Sequence, residues 1–158
     1  VNDYFDDPYA PKKKRIHPGF TYGLVGALLS ISVNLILLLI NSGDQRGDSL
    51  AWFVQLIVYF FISRSAAEAQ YRYNQQRGDF EYLRGVKAAG LGAGLTTSIL
   101  AWIYIIIRGI VRDSMGIFVF MEPFSFACLI VVDVLLAMAL GAWGGGSVAK
   151  KYDIGSSY

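Results

Sequence analysis

Residues 124–149 (FSFACLIVVDVLLAMALGAWGGGSVA) form an apolar run with one carboxylate, Asp133, inside it. Roughly 20 apolar residues in a helix cross about 30 Å of hydrocarbon, so this run is long enough to span a bilayer. An ionisable group at that depth costs roughly 2.5–3.5 kcal/mol on insertion scales, and it therefore faces a partner, a cavity or a subunit interface instead of lipid. Asp133 thus requires other helices around it, and three further stretches of the chain can supply them.

Residues 20–40 carry no charge and form the first expected span. The basic run in front of them makes a cleavable signal the rival reading, but the apolar stretch is too long and no small-x-small cleavage site follows it. Residues 41–49 (NSGDQRGDS) read as a turn-rich loop, with Gly43 and Gly47 as breakers and Asp48 or Ser49 as the cap of the second helix. The charge-free part of that helix, residues 50–63, is short for a span. Arg64 can snorkel, however, and SAAEAQYRY continues in good helix formers with Glu68 four residues before Arg72. The second helix is therefore expected to overshoot the membrane to about Arg77. Gly78 then serves as its C′ residue and Asp79 as the N-cap of the third helix, which makes a tight cytosolic hairpin. Residues 88–107 form the third span, and Pro123 starts the fourth helix. Between them, residues 114–123 (SMGIFVFMEP) are apolar but interrupted by Gly116, Glu122 and Pro123, which suits an interfacial or re-entrant segment.

Composition agrees with this class. Only 16% of the 158 residues are charged, against about 25% in soluble domains, and the mean hydropathy is +0.44. The expected fold is an all-α integral membrane protein with four transmembrane helices arranged as two hairpins. Residues 1–17 form a polar cytoplasmic arm, and residues 18–158 form the four-helix membrane domain. The arm, broken by Pro8 and Pro11, ends in the basic run 12–15, which reads as a topogenic flank for the first span. A net charge of +2, with bases dispersed among acids, gives no argument for nucleic acid, and no nucleic-acid partner is expected. Cys128, the single cysteine, has no intrachain partner for a disulfide.

Orientation follows from lysine and arginine. Eleven of the fourteen (Lys12, Lys13, Lys14, Arg15, Arg64, Arg72, Arg77, Arg84, Lys87, Lys150 and Lys151) fall on the side holding both termini; Arg46, Arg108 and Arg112 fall on the other. Both termini are expected in the cytoplasm, with a bacterial inner membrane as the host. Trp52 and Trp102 then belong to the outer interface, and Trp143 and Tyr22 to the inner one.

A shift of 66 residues lays Gly19, Gly23, Gly26, Ala27, Leu29, Ser30 and Ser32 on Gly85, Ala89, Gly92, Ala93, Leu95, Thr96 and Ser98. Such similarity between the first and third helices is compatible with two parallel repeats about an axis along the membrane normal. Three GxxxG pairs, Gly19 with Gly23, Gly90 with Gly94 and Gly141 with Gly145, all lie in the predicted cytoplasmic half. They point to close helix packing there, because small residues let backbones approach.

Polar residues gather instead toward the outer half: Asp133, Asn34, Gln55 and Thr97 are expected to share one intramembrane cluster. Such a cluster either fixes packing or handles a proton or cation. Motifs of soluble enzymes fail. GLGAGL at Gly90 places Leu95 where a dinucleotide loop needs its last glycine, and GGGSVAKK lacks the Gly-Lys-Ser/Thr order of a phosphate loop. His17 is the only histidine, and no Ser/His/Asp or Cys/His set can be assembled. The expectations are no catalytic residue, no metal and no cofactor. Partners would be membrane lipids and other integral membrane subunits, met through the arm, the glycine-rich faces or the outer Phe-rich segment. The leading functional reading is an accessory or scaffolding subunit of a larger membrane complex. Its alternative is a small oligomeric transporter or channel component that uses Asp133; a membrane enzyme ranks last.

Overall fold

A computed structural model of the chain describes residues 17–40, 46–77, 82–114 and 123–155. Most of these residues lie in four helices and none lies in a strand: α1 (Pro18–Ile40), α2 (Arg46–Gln76), α3 (Val86–Ser114) and α4 (Pro123–Gly155). Among the described residues, three helices are long and apolar enough to cross a membrane, over Pro18–Leu37, Val86–Val111 and Ser125–Asp153. The exception is α2, whose 31 residues reach about 46 Å at 1.5 Å each but turn polar from Arg64 onward.

Local chemistry sets the helix ends. His17 caps α1: its carbonyl accepts from Phe20 N (2.9 Å) and its ring Nδ1 accepts from Gly19 N (3.2 Å). Pro18 follows in the first helical position, where its missing N–H costs nothing. The start of α2 is Arg46, so Asp48 and Ser49 lie inside its first turn instead of preceding it. Gly78 and Asp79 lie outside the described residues, and α3 begins at Val86, not directly after Asp79. The reason is a turn over residues 82–85 closed by Gly85, whose φ of 75° is open to glycine and strained for other residues. Asn74 of α2 holds this turn in place. Its Nδ2 donates to the carbonyls of Tyr82 and Arg84, both at 2.9 Å, while its Oδ1 accepts from Gln70 Nε2 at 2.9 Å. The connection is thus a turn docked on α2. The 115–122 segment, expected to be interfacial, also lies outside the described residues.

Close contacts fix the directions of the helices. Gly19 meets Ala89 and Gly23 meets Ala93 and Thr96, so α1 and α3 run parallel. Gly90 meets Gly141 and Gly145 while Gly94 meets Ala137, so α3 and α4 run antiparallel. α1 and α3 therefore point one way and α4 the other, and among the described residues every helix pair except α1 with α4 is in contact. That exception bears on the repeat. A two-fold axis relating α1–α2 to α3–α4 would make α1–α4 equivalent to α2–α3, yet only α2–α3 touches among the described residues. Among the described residues, α1–α2 and α3–α4 are thus not packed as symmetric copies.

Size sorting is inverted relative to a water-soluble bundle. Buried positions are small, among them Ala27, Ala66, Ala67, Ala89, Ala93, Ala101 and Ala137. Large apolar side chains point outward, with Leu28 at 65% and Trp143 at 66% exposure, and Phe53, Phe61, Ile107 and Leu135 similarly placed. Close backbone packing inside and bulky side chains outside is the arrangement that helices adopt in lipid, where apolar burial between helices gives no advantage. At the end bearing Arg84 and Lys87, the bundle closes on Ala67, Val86, Val148 and Ala149, sealed by the stack of Tyr71 on Tyr152 at 3.8 Å. Arg64 pairs with Glu68 at 3.6 Å, so Glu68 reaches back along α2 and not forward to Arg72.

Candidate functional site

Asp133 sits on α4 where α2 and α3 converge, and it is 1% exposed. Each neighbouring helix offers two polar side chains four residues apart, hence on one face. From α3, Ser98 Oγ donates to Asp133 Oδ2 at 2.8 Å and Trp102 Nε1 donates to the same oxygen at 2.9 Å. From α2, the Tyr59 hydroxyl donates to Oδ2 at 2.6 Å, and Gln55 Nε2 donates in turn to the Tyr59 oxygen. A directional chain therefore runs from Gln55 through Tyr59 to Asp133. Phe126 packs edge-on against Trp102, with ring centres 5.5 Å apart.

The arrangement is strongly asymmetric. Oδ2 accepts three hydrogen bonds, whereas the buried Oδ1 has no partner among the described residues. Ser30 Oγ and Ser63 Oγ are also buried without one. A carboxylate oxygen is a strong acceptor, and its bonds are worth most where water cannot compete. The visible work of Asp133 is to tie three helices at one point. Among the described residues, no group of three or more His, Cys, Asp or Glu is arranged to hold a metal.

The residues singled out in sequence separate in space. Gln55 reaches Asp133 through Tyr59. Asn34 instead donates to the Ser30 carbonyl of its own helix at 2.9 Å. Thr97 donates to the Ala93 carbonyl at 2.8 Å and to the Gly23 carbonyl at 3.2 Å, which places it in the α1–α3 contact. The glycines line two seams. A Cβ at Gly90 would stand 2.8 Å from the Gly141 carbonyl oxygen and from Gly145 Cα; one at Gly19 would stand 2.8 Å from the Ala89 carbonyl oxygen.

Sequence reading missed Tyr59, Ser98 and Trp102. In sequence, Trp102 reads as an anchor at the outer interface and not as a partner of Asp133. A signal was present nonetheless, because Gln55 with Tyr59 and Ser98 with Trp102 are both i, i+4 pairs of polar-tipped residues inside apolar helices. Compared with protein-family models, with curated proteins and with solved structures, the chain matches none.

Proposed function

We propose that the chain is a multi-pass membrane scaffold, an accessory subunit of a larger membrane complex without catalytic work of its own. The observation that carries this reading is the commitment of Asp133, whose three hydrogen bonds all go to donors within the bundle. A carboxylate used this way holds helices in register. In this reading all four helices cross the bilayer as two hairpins. What supports a spanning α2 is its contact with each of the other three helices, together with the outward apolar side chains Trp52, Phe53, Ile57 and Phe61. The orientation, with both termini in the cytoplasm of a bacterial inner membrane, rests on the bases. Arg64, Arg72, Arg77, Arg84, Lys87, Lys150 and Lys151 occupy the end of the bundle where α2 and α4 finish and α3 begins. The GxxxG pairs then organise the cytoplasmic half, and the broad outward apolar surface faces lipid and neighbouring subunits.

One observation favours the second reading, a small transporter or channel component: the unpartnered Oδ1 of Asp133. Two substitutions separate the readings. Under the scaffold reading Asp133→Asn keeps an acceptor and preserves assembly, whereas Asp133→Leu strands three donors and weakens it. Under the transport reading Asp133→Asn assembles normally but abolishes proton or cation flux in reconstituted vesicles. The partner itself is sought by gentle detergent extraction, sizing and mass spectrometry of co-purifying chains. A single monodisperse chain with no stoichiometric companion would refute the accessory role.

A further inference from the structure

We infer that a polar groove between α1 and α2 is a binding site for a zwitterionic headgroup, a phosphodiester joined to a primary ammonium, supplied by a bilayer phospholipid. The groove has a volume of about 390 Å³ and is lined by Tyr22 of α1 and by Ser65, Glu68, Arg72, Tyr73 and Gln76 of α2. It is separate from the Asp133 network: Tyr59 and Glu68 are roughly 13 Å apart along α2 at 1.5 Å per residue.

Its position comes from the helix lengths. Gly26 of α1 lies against Ile62 of α2, and Tyr22, one turn earlier on α1, packs against the cluster of Ile62, Ala66 and Ala93, so α2 continues past the start of α1 at Pro18. The groove opens along this overhang. It begins just beyond Ser63, the last residue of the charge-free run of α2, which is the level where a hydrocarbon layer would end and headgroups begin.

Its lining combines the features such a headgroup needs. Arg72 offers planar donors suited to a phosphate oxygen pair. Glu68, one turn away on the same face, offers a carboxylate to an ammonium; its contact with Arg64 at 3.6 Å leaves acceptor capacity unused. The hydroxyls of Tyr22 and Ser65 can meet ester and glycerol oxygens, and the amide of Gln76, one turn beyond Arg72, can meet a phosphate oxygen. A purely anionic headgroup would gain from Arg72 but meet Glu68 unfavourably, while a quaternary ammonium cannot donate to a carboxylate. Below the groove the surface becomes apolar. Phe61, one turn from Ser65, and Val25, one turn from Tyr22, are both exposed and would offer apolar surface to an acyl chain.

The site rests on the membrane insertion proposed above, so insertion is tested beside it. The full chain is reconstituted in vesicles of equal parts phosphatidylethanolamine, phosphatidylglycerol and phosphatidylcholine with matched acyl chains, and tightly retained lipid is read by native mass spectrometry. Wild type is expected to retain the ethanolamine lipid selectively. Arg72→Gln and Glu68→Gln are each expected to weaken retention about fivefold, the worth of one partly exposed charge contact, with unchanged thermal unfolding. Soluble glycerophosphoethanolamine should not displace the lipid, because it lacks the chain that lies on Phe61 and Val25. Equal retention of all three lipids, retention unaffected by both substitutions, or displacement by the soluble headgroup would overturn the assignment. Extraction of the protein from vesicles by alkaline carbonate would instead overturn insertion itself, a failure read independently of lipid selectivity.

Discussion

Replacing Gly94 with alanine provides a sharp test of the α3–α4 seam, because packing and helix propensity act in opposite directions there. An added Cβ would stand 2.5 Å from the Ala137 carbonyl oxygen and 3.1 Å from Ser63 Oγ. Ordinary van der Waals contact begins near 3.4 Å, so α3 and α4 must separate by about 0.9 Å at this level, and the obstructing atom is backbone that cannot rotate away. Separation also loosens the neighbouring contact of Gly90 with Gly141 and Gly145. Overpacking of this kind costs about 1–3 kcal/mol. Against it stands the gain of about 0.8–1 kcal/mol from alanine over glycine within a helix in water. The net expectation is a loss of up to about 2 kcal/mol. Two controls isolate the cause. Gly92→Ala meets its nearest atom only at 3.9 Å, and Gly146→Ala meets nothing within 4 Å, so both should be neutral or stabilising. Reversible unfolding in mixed micelles, followed by helicity, measures all three. If Gly94→Ala proves as stable as Gly146→Ala, the claim that backbone contact fixes the α3–α4 distance is wrong.

Further outcomes follow from the same structure. Single cysteines at Gln45, Gln75 and Ser157 in a Cys128→Ser background should react with an impermeant reagent outside intact cells only at Gln45; reaction at Gln75 would reverse the proposed orientation. Asn74→Ala removes the donor that holds the carbonyls of Tyr82 and Arg84 and should cost about 1–3 kcal/mol, read as faster amide exchange over residues 82–86. Unchanged exchange would mean that the turn holds itself. Tyr59→Phe and Ser98→Ala each remove one donor to Asp133 and should cost about 1–2 kcal/mol, and the double variant should depart from additivity because both bonds end on one oxygen. Strict additivity would argue that the two bonds act independently.

Much of this architecture is written along the chain. Helix number follows from where apolar runs meet charges and turn residues, because a helix satisfies its own backbone and its boundaries depend on local chemistry. The glycine positions also identified surfaces able to approach closely, since the absence of a Cβ is a property of the residue itself. Asp133 stood out for the same reason: the cost of an ionisable group at membrane depth is visible before any neighbour is known. Boundaries were less legible where a longer-range bond or a backbone angle intervened. Asp79 reads as a good cap, but Gly85 and the docking of residues 82–85 on Asn74 delay α3 to Val86.

What surrounds Asp133 was decided only by tertiary structure. Asn34, Gln55 and Thr97 share an expected depth with it, yet depth is one coordinate and contact also needs the rotation of each helix about its axis. Rotation is fixed by packing along whole seams: the Gly23–Thr96 and Gly26–Thr97 approaches turn Thr97 toward α1, which leaves the adjacent Ser98 facing α4. A step of one residue turns a helical side chain by about 100°, so neighbours in sequence serve different interfaces. Tyr59 and Trp102 became partners of Asp133 by the same logic. Their polar tips meet an acceptor inside the bundle because packing along the seams sets those angles.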